Sequence, residues 1–267
     1  SRDYAQFLDM PRPGHADFTY LRKYGLRDHC GGGRSSGRET LCRVAGGAVA
    51  RQVLADRGVR IVAHAVEIAG IEAQACDVDR IENNAVRCAD PAAAEKMQAA
   101  ILDAKEAGDS VGGVVCLEVT GVPAGLGDPV FGKLDARLGG ALFSLGAVKA
   151  VSFGSGFAAP RMRGSEHNDA MRDGEFVTNH AGGILGGIST GQPIRVHVAI
   201  KPTASVSVTQ QASDRRGRDI DLKVQGRHDP CIVPRVIPVI EAMAGLVLWD
   251  AWEAQSRLRA GWQQADR

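Results

Sequence analysis

The sequence predicts a mixed α/β fold, and three observations carry that prediction. Segments with apolar residues at helical spacing alternate along the chain with segments in which apolar and polar residues take turns. Asp90-Pro91 is a helix start, a capping carboxylate followed by proline at the first helical position. In the segment from Ile194 to Ile200, Ile194, Val196, Val198 and Ile200 share one strand face, while Arg195, His197 and then Lys201 take the other.

Taken in order, residues 1–30 read as an irregular polar lead, with a turn at Arg12-Pro13-Gly14-His15-Ala16-Asp17 and the aromatics Phe18, Tyr20 and Tyr24 behind it. Gly31 to Glu39 is a glycine-rich turn; Ser36 with Glu39 three residues on has the capping-box pattern. The helix that follows is expected to bury Leu41, Val44, Ala45, Ala48, Val49 and Val53. Val59 to Ala65 reads as a strand. The helix from Pro91 turns Ala94, Met97, Ile101 and Ala104 inward and closes at Gly108.

Val111 to Val119 reads as a strand, residues 130–145 as a helix and Ala147 to Phe153 as a strand. Residues 154–178 are expected to be an exposed loop. Residues 178–191 hold five glycines in fourteen positions. That density suits either a tight turn between core strands or a floor for a planar, anionic cofactor. Asp214 to Lys223 reads as a hairpin, and the apolar helix after Pro230 carries Val236, Ile240, Met243, Ala244, Val247 and Leu248. Gly33-Arg34 and Gly226-Arg227 each precede an apolar helix, an echo that suggests internal duplication. No linker interrupts the sequence, so residues 1–267 are expected to form one domain.

The 32 basic and 31 acidic residues nearly cancel, so no global field marks a nucleic-acid or membrane binder. Six cysteines without a CxxC pair suit free thiols in a reducing cytoplasm. No histidine or cysteine spacing suits a metal, and none is expected. Arg12, Arg34, Arg38 and Arg227 lie in glycine- or proline-marked loops, and together they suit a ligand with more than one acidic group. The Gly33–Arg38 loop matches neither a Walker loop nor a dinucleotide fingerprint. His15 sits in a turn where it can exchange protons near neutral pH, and from local sequence it reads at least as well as a plain surface imidazole. Asp229, between His228 and Pro230 at a helix start, reads from the local sequence as an N-terminal helix carboxylate.

Arg12 to Asp17, Gly31 to Glu39, Gly121 to Gly127, Asn179 to Gly187, Lys201-Pro202-Thr203 and Gly226 to Pro230 resemble, in order and spacing, the blocks of bacterial chorismate synthases. The resemblance runs from Ser1 to about Asp250. It implies a sandwich of helices between antiparallel sheets, assembled as a homotetramer. It also implies anti-1,4-elimination of phosphate from 5-enolpyruvylshikimate 3-phosphate, giving chorismate for aromatic amino acid biosynthesis. The cofactor implied is reduced FMN, supplied by an external, NADPH-linked flavin reductant. No nucleic acid or membrane partner is implied.

Carried over residue by residue, the resemblance assigns Arg12 and Arg38 to the substrate's phosphate and carboxylates, and Arg227 to both substrate and flavin. His15 matches a histidine that protonates the reduced flavin, Ser36 a proton-relay position, and Asp229 an acid near flavin N5. Arg34, Ser35, Ser36, Ala147, Gly186, Lys201, Pro202, Thr203, Ala204 and Ser205 match flavin contacts. Gly146 stands where the family usually has asparagine, so one polar flavin contact is expected to be lost. Ser1 aligns with the family's interior, so the chain is expected to be N-terminally incomplete, lacking a motif whose histidine serves the leaving phosphate. The alternative functions are a non-catalytic flavin-binding remnant of that family and, third, a plain flavin oxidoreductase.

Overall fold

The computed structural model describes residues 8–30, 32–224, 226, 228–259 and 262. The polar lead contains a helix, α1 (Asp17–Tyr24), with Asp17 in its first turn, Arg22 and Lys23 in its last, and a left-handed Gly25 closing it. The expectation of an irregular lead fails because α1 has no apolar stripe: Phe18 and Tyr24 are exposed. Ser36 Oγ accepts from Arg38 N at 3.3 Å, but it caps a single 3₁₀ turn, Gly37–Glu39, and α2 (Thr40–Ala55) begins after it.

The buried face of α2 is Gly47, Ala50 and Leu54; the expected Leu41 and Val49 are exposed. Backbone approach explains the difference. A Cβ on Gly47 would stand 2.3 Å from the Ala242 Cβ and 2.5 Å from its Cα, so the hydrogen side of α2 is the packed side. Spacing of large apolar residues cannot reveal a face built on glycine and alanine.

Strands β1 (Arg60–Ile68) and β2 (Ile71–Glu72) pair antiparallel through Ile68 and Ile71. Helix α3 (Pro91–Glu106) starts as expected: Asp90 Oδ1 accepts from Ala92 N at 3.0 Å and Ala93 N at 3.2 Å, and Ala93, Ala94 and Met97 are buried. Strand β3 (Gly113–Thr120) follows. The helix expected over 130–145 is shorter, α4 (Leu134–Phe143), because a bridge between Asp128 and Gly132 closes a turn ahead of it. After β4 (Val148–Phe153), the expected loop carries a 3₁₀ turn, α5 (Gly164–His167) and the hairpin β5 (Met171–Arg172) with β6 (Glu175–Phe176). These pieces are too short and too exposed to show a period.

The glycine-rich stretch forms the hairpin β7 (Ile184–Leu185) and β8 (Ile188–Ser189). Strand β9 (Ile194–Ile200) buries Ile194, Val196, Val198 and Ile200, as the alternation predicts. The charged hairpin is β10 (Gln210–Ser213) with β11 (Asp219–Leu222). The last helix, α6 (Val233–Leu258), buries Val236, Ile240, Ala244 and Leu248.

The residues group into two compact units, one of Ser1–Thr40, Ala65–Gly113 and Ile200–Pro234, the other of Leu41–His64, Val114–Ala199 and Arg235–Arg267. The first holds α1, α3 and the β10–β11 hairpin, whose Leu222 and neighbouring Val224 pack with Met10 and Ala212. In the second, strands run in the order β1-β3-β9-β4. There Glu241 of α6 accepts from Ala63 N of β1 at 2.9 Å and from Arg51 Nη1 of α2 at 2.8 Å.

Candidate active site

In the first unit the turn ahead of α1 is organised by one acid. Asp17 Oδ2 accepts from Arg12 Nε at 2.8 Å and Arg12 N at 3.2 Å. Its Oδ1 takes Arg12 Nη2 at 3.2 Å, His15 Nδ1 at 2.9 Å and Arg27 Nη1 at 3.1 Å. Burial alone would raise the Asp17 pKa, but hydrogen bonds from His15 and Arg12, with their charges, hold it far below the ordinary carboxylate range. Burial lowers the pKa of Arg27; the charges of Arg12 and Arg215 add to that while Asp17 opposes it. Arg27 neighbours Asp28, whose carbonyl accepts from Gly32 N at 3.1 Å, which ties this turn to the glycine-rich segment.

The Lys201–Ser205 block reaches the same turn. Arg12 Nη1 donates to Ser205 Oγ at 3.2 Å, 193 residues away in sequence, and Lys201 Nζ donates to the Gly14 carbonyl. Ser110 Oγ donates to Thr203 O at 2.7 Å and Val111 N to Pro230 O at 2.8 Å, so one short segment holds both the 201–205 block and the residue after Asp229. Asp229 and His228 are half-buried. Arg34 and Arg38 are exposed in two consecutive 3₁₀ turns, not on a helix end, and Ser35 Oγ donates to Gly32 O at 2.6 Å. Arg227 lies outside the described residues.

Gly146, Ala147 and Gly186 belong to the second unit. Ala147 takes a left-handed φ of 73°, and a side chain on Gly146 would meet open space. In the glycine-rich stretch backbone fills the room at Gly182 and Gly183 and Lys133 fills it at Gly187, whereas Gly186 faces open space. Tight packing therefore accounts for three of the five glycines. Asn179 is a brace, with Oδ1 accepting from Gly183 N at 2.7 Å and Nδ2 donating to Pro193 O at 2.8 Å. Asp169 accepts from His180 N at 2.6 Å and Ala181 N at 2.9 Å; against the effect of burial, these bonds lower its pKa.

Sequence reasoning singled out Arg12, His15, Lys201 and Ser205, which come together, and passed over Asp17 and Arg27. Asp17 carried a signal, the one acid within a turn of cations; Arg27 carried none. Among the described residues no group of three or more His, Cys, Asp or Glu could hold a metal, and no helix is long and apolar enough to cross a membrane.

The family described as chorismate synthase matches residues 1–252. A chorismate synthase of Nitratidesulfovibrio vulgaris strain Miyazaki F is 52% identical over 258 residues, covering 97% of this chain and 73% of its own. One from Methanosarcina mazei is 52% identical over 259 residues, covering 94% of this chain and 71% of its own. A solved structure described as a chorismate synthase superposes with a TM-score of 0.74 at 30% identity, over 90% of this chain and 70% of that one.

Proposed function

The chain belongs to the chorismate synthase family, and on that premise we propose that it is a carbon–oxygen lyase that eliminates phosphate from 5-enolpyruvylshikimate 3-phosphate to give chorismate. The reading of where this happens rests on the junction of Arg12–Asp17 with Lys201–Ser205, blocks far apart in sequence that meet in one charged turn.

The cofactor we propose is reduced FMN, and the first unit's residues fit it. Lys201, Arg12 and Arg34 supply cationic donors for a phosphate-bearing ligand, and Ser205 is held in place by Arg12. When bound, reduced FMN supplies electron density that eases cleavage of the C–O bond without net oxidation. Around it the chain binds and moves protons. Arg12, with its Nε edge fixed by Asp17, presents a preset positive charge to anions. His15, about a fifth exposed, holds a proton at the surface of the turn. Asp229 is the second proton-bearing group and Ser36 the relay. Arg38 and Arg227 complete the charge balance for the substrate's acids.

We further propose a homotetramer, for which the fully exposed Phe131 with exposed Val130 offers apolar contact surface, and a cytoplasmic location, which the six free thiols suit. Flavin reduction is assigned to an external reductant. The test is anaerobic assay of chorismate from the substrate with reduced FMN, alongside binding titrations with FMN and FAD. Chorismate formation with tighter binding of FMN supports the reading; no chorismate, or equal or tighter binding of FAD, counts against it.

A further inference from the structure

We infer that Asp17 is a positioning residue that fixes the tautomer and aim of His15 and locks the fork of Arg12. The inference rests on the reading that His15 is a proton-carrying group of the active site. Asp17 is 3% exposed, and its carboxylate meets three side chains: Arg12 through both Nε and Nη2, Arg27 through Nη1, and His15 through Nδ1. An acid in the first turn of a helix ordinarily serves that helix. Here the backbone N–H it accepts belongs to Arg12, five residues upstream of the helix, so the carboxylate faces the turn.

His15 Nδ1 has two competing partners on the same residue. It lies 2.9 Å from Asp17 Oδ1, to which it can donate, and 3.2 Å from Asp17 N, from which it can accept. The carboxylate contact is shorter, and a hydrogen bond to an ionised acceptor is about twice as strong as a neutral one. The proton therefore resides on Nδ1, and Nε2 carries the lone pair at which a proton is taken up and released. A carboxylate that holds an imidazole by one nitrogen sets which nitrogen does the chemistry at the other. Arg12 Nη2 lies 3.1 Å from both ring nitrogens alike, so it holds the ring in place and leaves the choice of tautomer to Asp17. The same carboxylate spans Arg12, so one buried acid aligns a proton carrier and an anion-binding cation together.

The primary test needs neither turnover nor flavin. Long-range ¹⁵N–¹H correlation spectra of histidine-labelled protein report the tautomer of each neutral imidazole, and His15→Gln identifies the His15 signals by their loss. The expected result is the Nδ1–H form for His15, weakened in Asp17→Ala. A predominantly Nε2–H ring in the unsubstituted protein overturns the inference, whether or not any Asp17 variant folds. The second test is a cycle in chorismate formation. Asp17→Asn should lower kcat by roughly 10²–10⁴-fold through His15, the range of a lost acid–base group, and raise KM through the loosened fork of Arg12. In kcat, His15→Ala with Asp17→Asn should be no slower than His15→Ala alone, any further change falling on KM through Arg12. Losses in kcat that multiply overturn the inference. An Nδ1–H ring combined with an innocuous His15→Ala would uphold the hold of Asp17 on the ring while refuting the role given to His15.

Discussion

Asp17 in the first unit and Glu241 in the second are both buried carboxylates bound to arginine, and they are surrounded by different kinds of partner. Glu241 takes a backbone N–H of β1 and Arg51, whose other nitrogen donates to the carbonyl of Ile61 at 3.3 Å. Those links join α2, α6 and β1 and leave no reactive group within the set. Asp17 takes Arg12, Arg27 and the imidazole of His15, all from polar turns, and the arginine it fixes reaches on to Ser205. A buried charge requires partners in either setting. Backbone partners make it a strut; side chains that titrate or bind anions make it the organiser of a site.

If the second unit's carboxylate is a strut, changes around it should appear in stability and leave turnover per folded molecule alone. One such effect is expected at Gly47, where any side chain drives into Ala242. Gly47→Ala should cost about 1–3 kcal/mol in urea unfolding, as overpacked positions do. Glu241→Ala strands Arg51 and the Ala63 N–H and should cost about 1–3 kcal/mol, with kcat of the folded fraction unchanged. A loss of turnover in either variant would blur the distinction between strut and site.

Acid separates the two regions by window. Burial, with the charges of Arg195 and His64, lowers the pKa of His197 below its ordinary 6.5. The unfolded chain then binds the proton first, so stability should fall as pH drops below 6.5, by up to about 1.4 kcal/mol per pH unit, until the folded ring also titrates. Asp17 contributes only lower down. Its stability is present above the ordinary 3.8 and is lost as pH falls from there toward its depressed folded value. Stability measured against pH in His197→Phe should lose the upper slope and keep the lower. The smallest effect is Gly46→Ala, whose new Cβ would make ordinary contact at 3.9 Å with Leu246. It should gain about 0.5–1 kcal/mol from helix propensity alone.

What the sequence made legible follows the same divide. Strand β9 and the start of α3 could be read because alternation and an Asp-Pro cap are local signals. The buried face of α2 could not, since Gly47 and Ala50 pack by being small and carry no hydrophobic signal. In the site, Arg12 and His15 were visible as residue types in a glycine- and proline-marked turn, and Lys201 and Ser205 through the family resemblance of their block. Their convergence was not, because it depends on contacts such as Arg12 to Ser205 that no local pattern encodes. Arg27 joins the cluster from a stretch with no motif of its own.

The most direct test of the site is a side-by-side measurement of Asp17→Asn and Glu241→Gln, two changes that remove one buried charge at nearly constant shape. Anaerobic chorismate formation with reduced FMN is scored per folded molecule, with the unfolding midpoint of each variant measured alongside. The expected result is a loss of roughly 10²–10⁴-fold in kcat for Asp17→Asn, against unchanged kcat and a lowered midpoint for Glu241→Gln. Equal turnover in the two folded variants would contradict the assignment of the Asp17 cluster as the chemical centre.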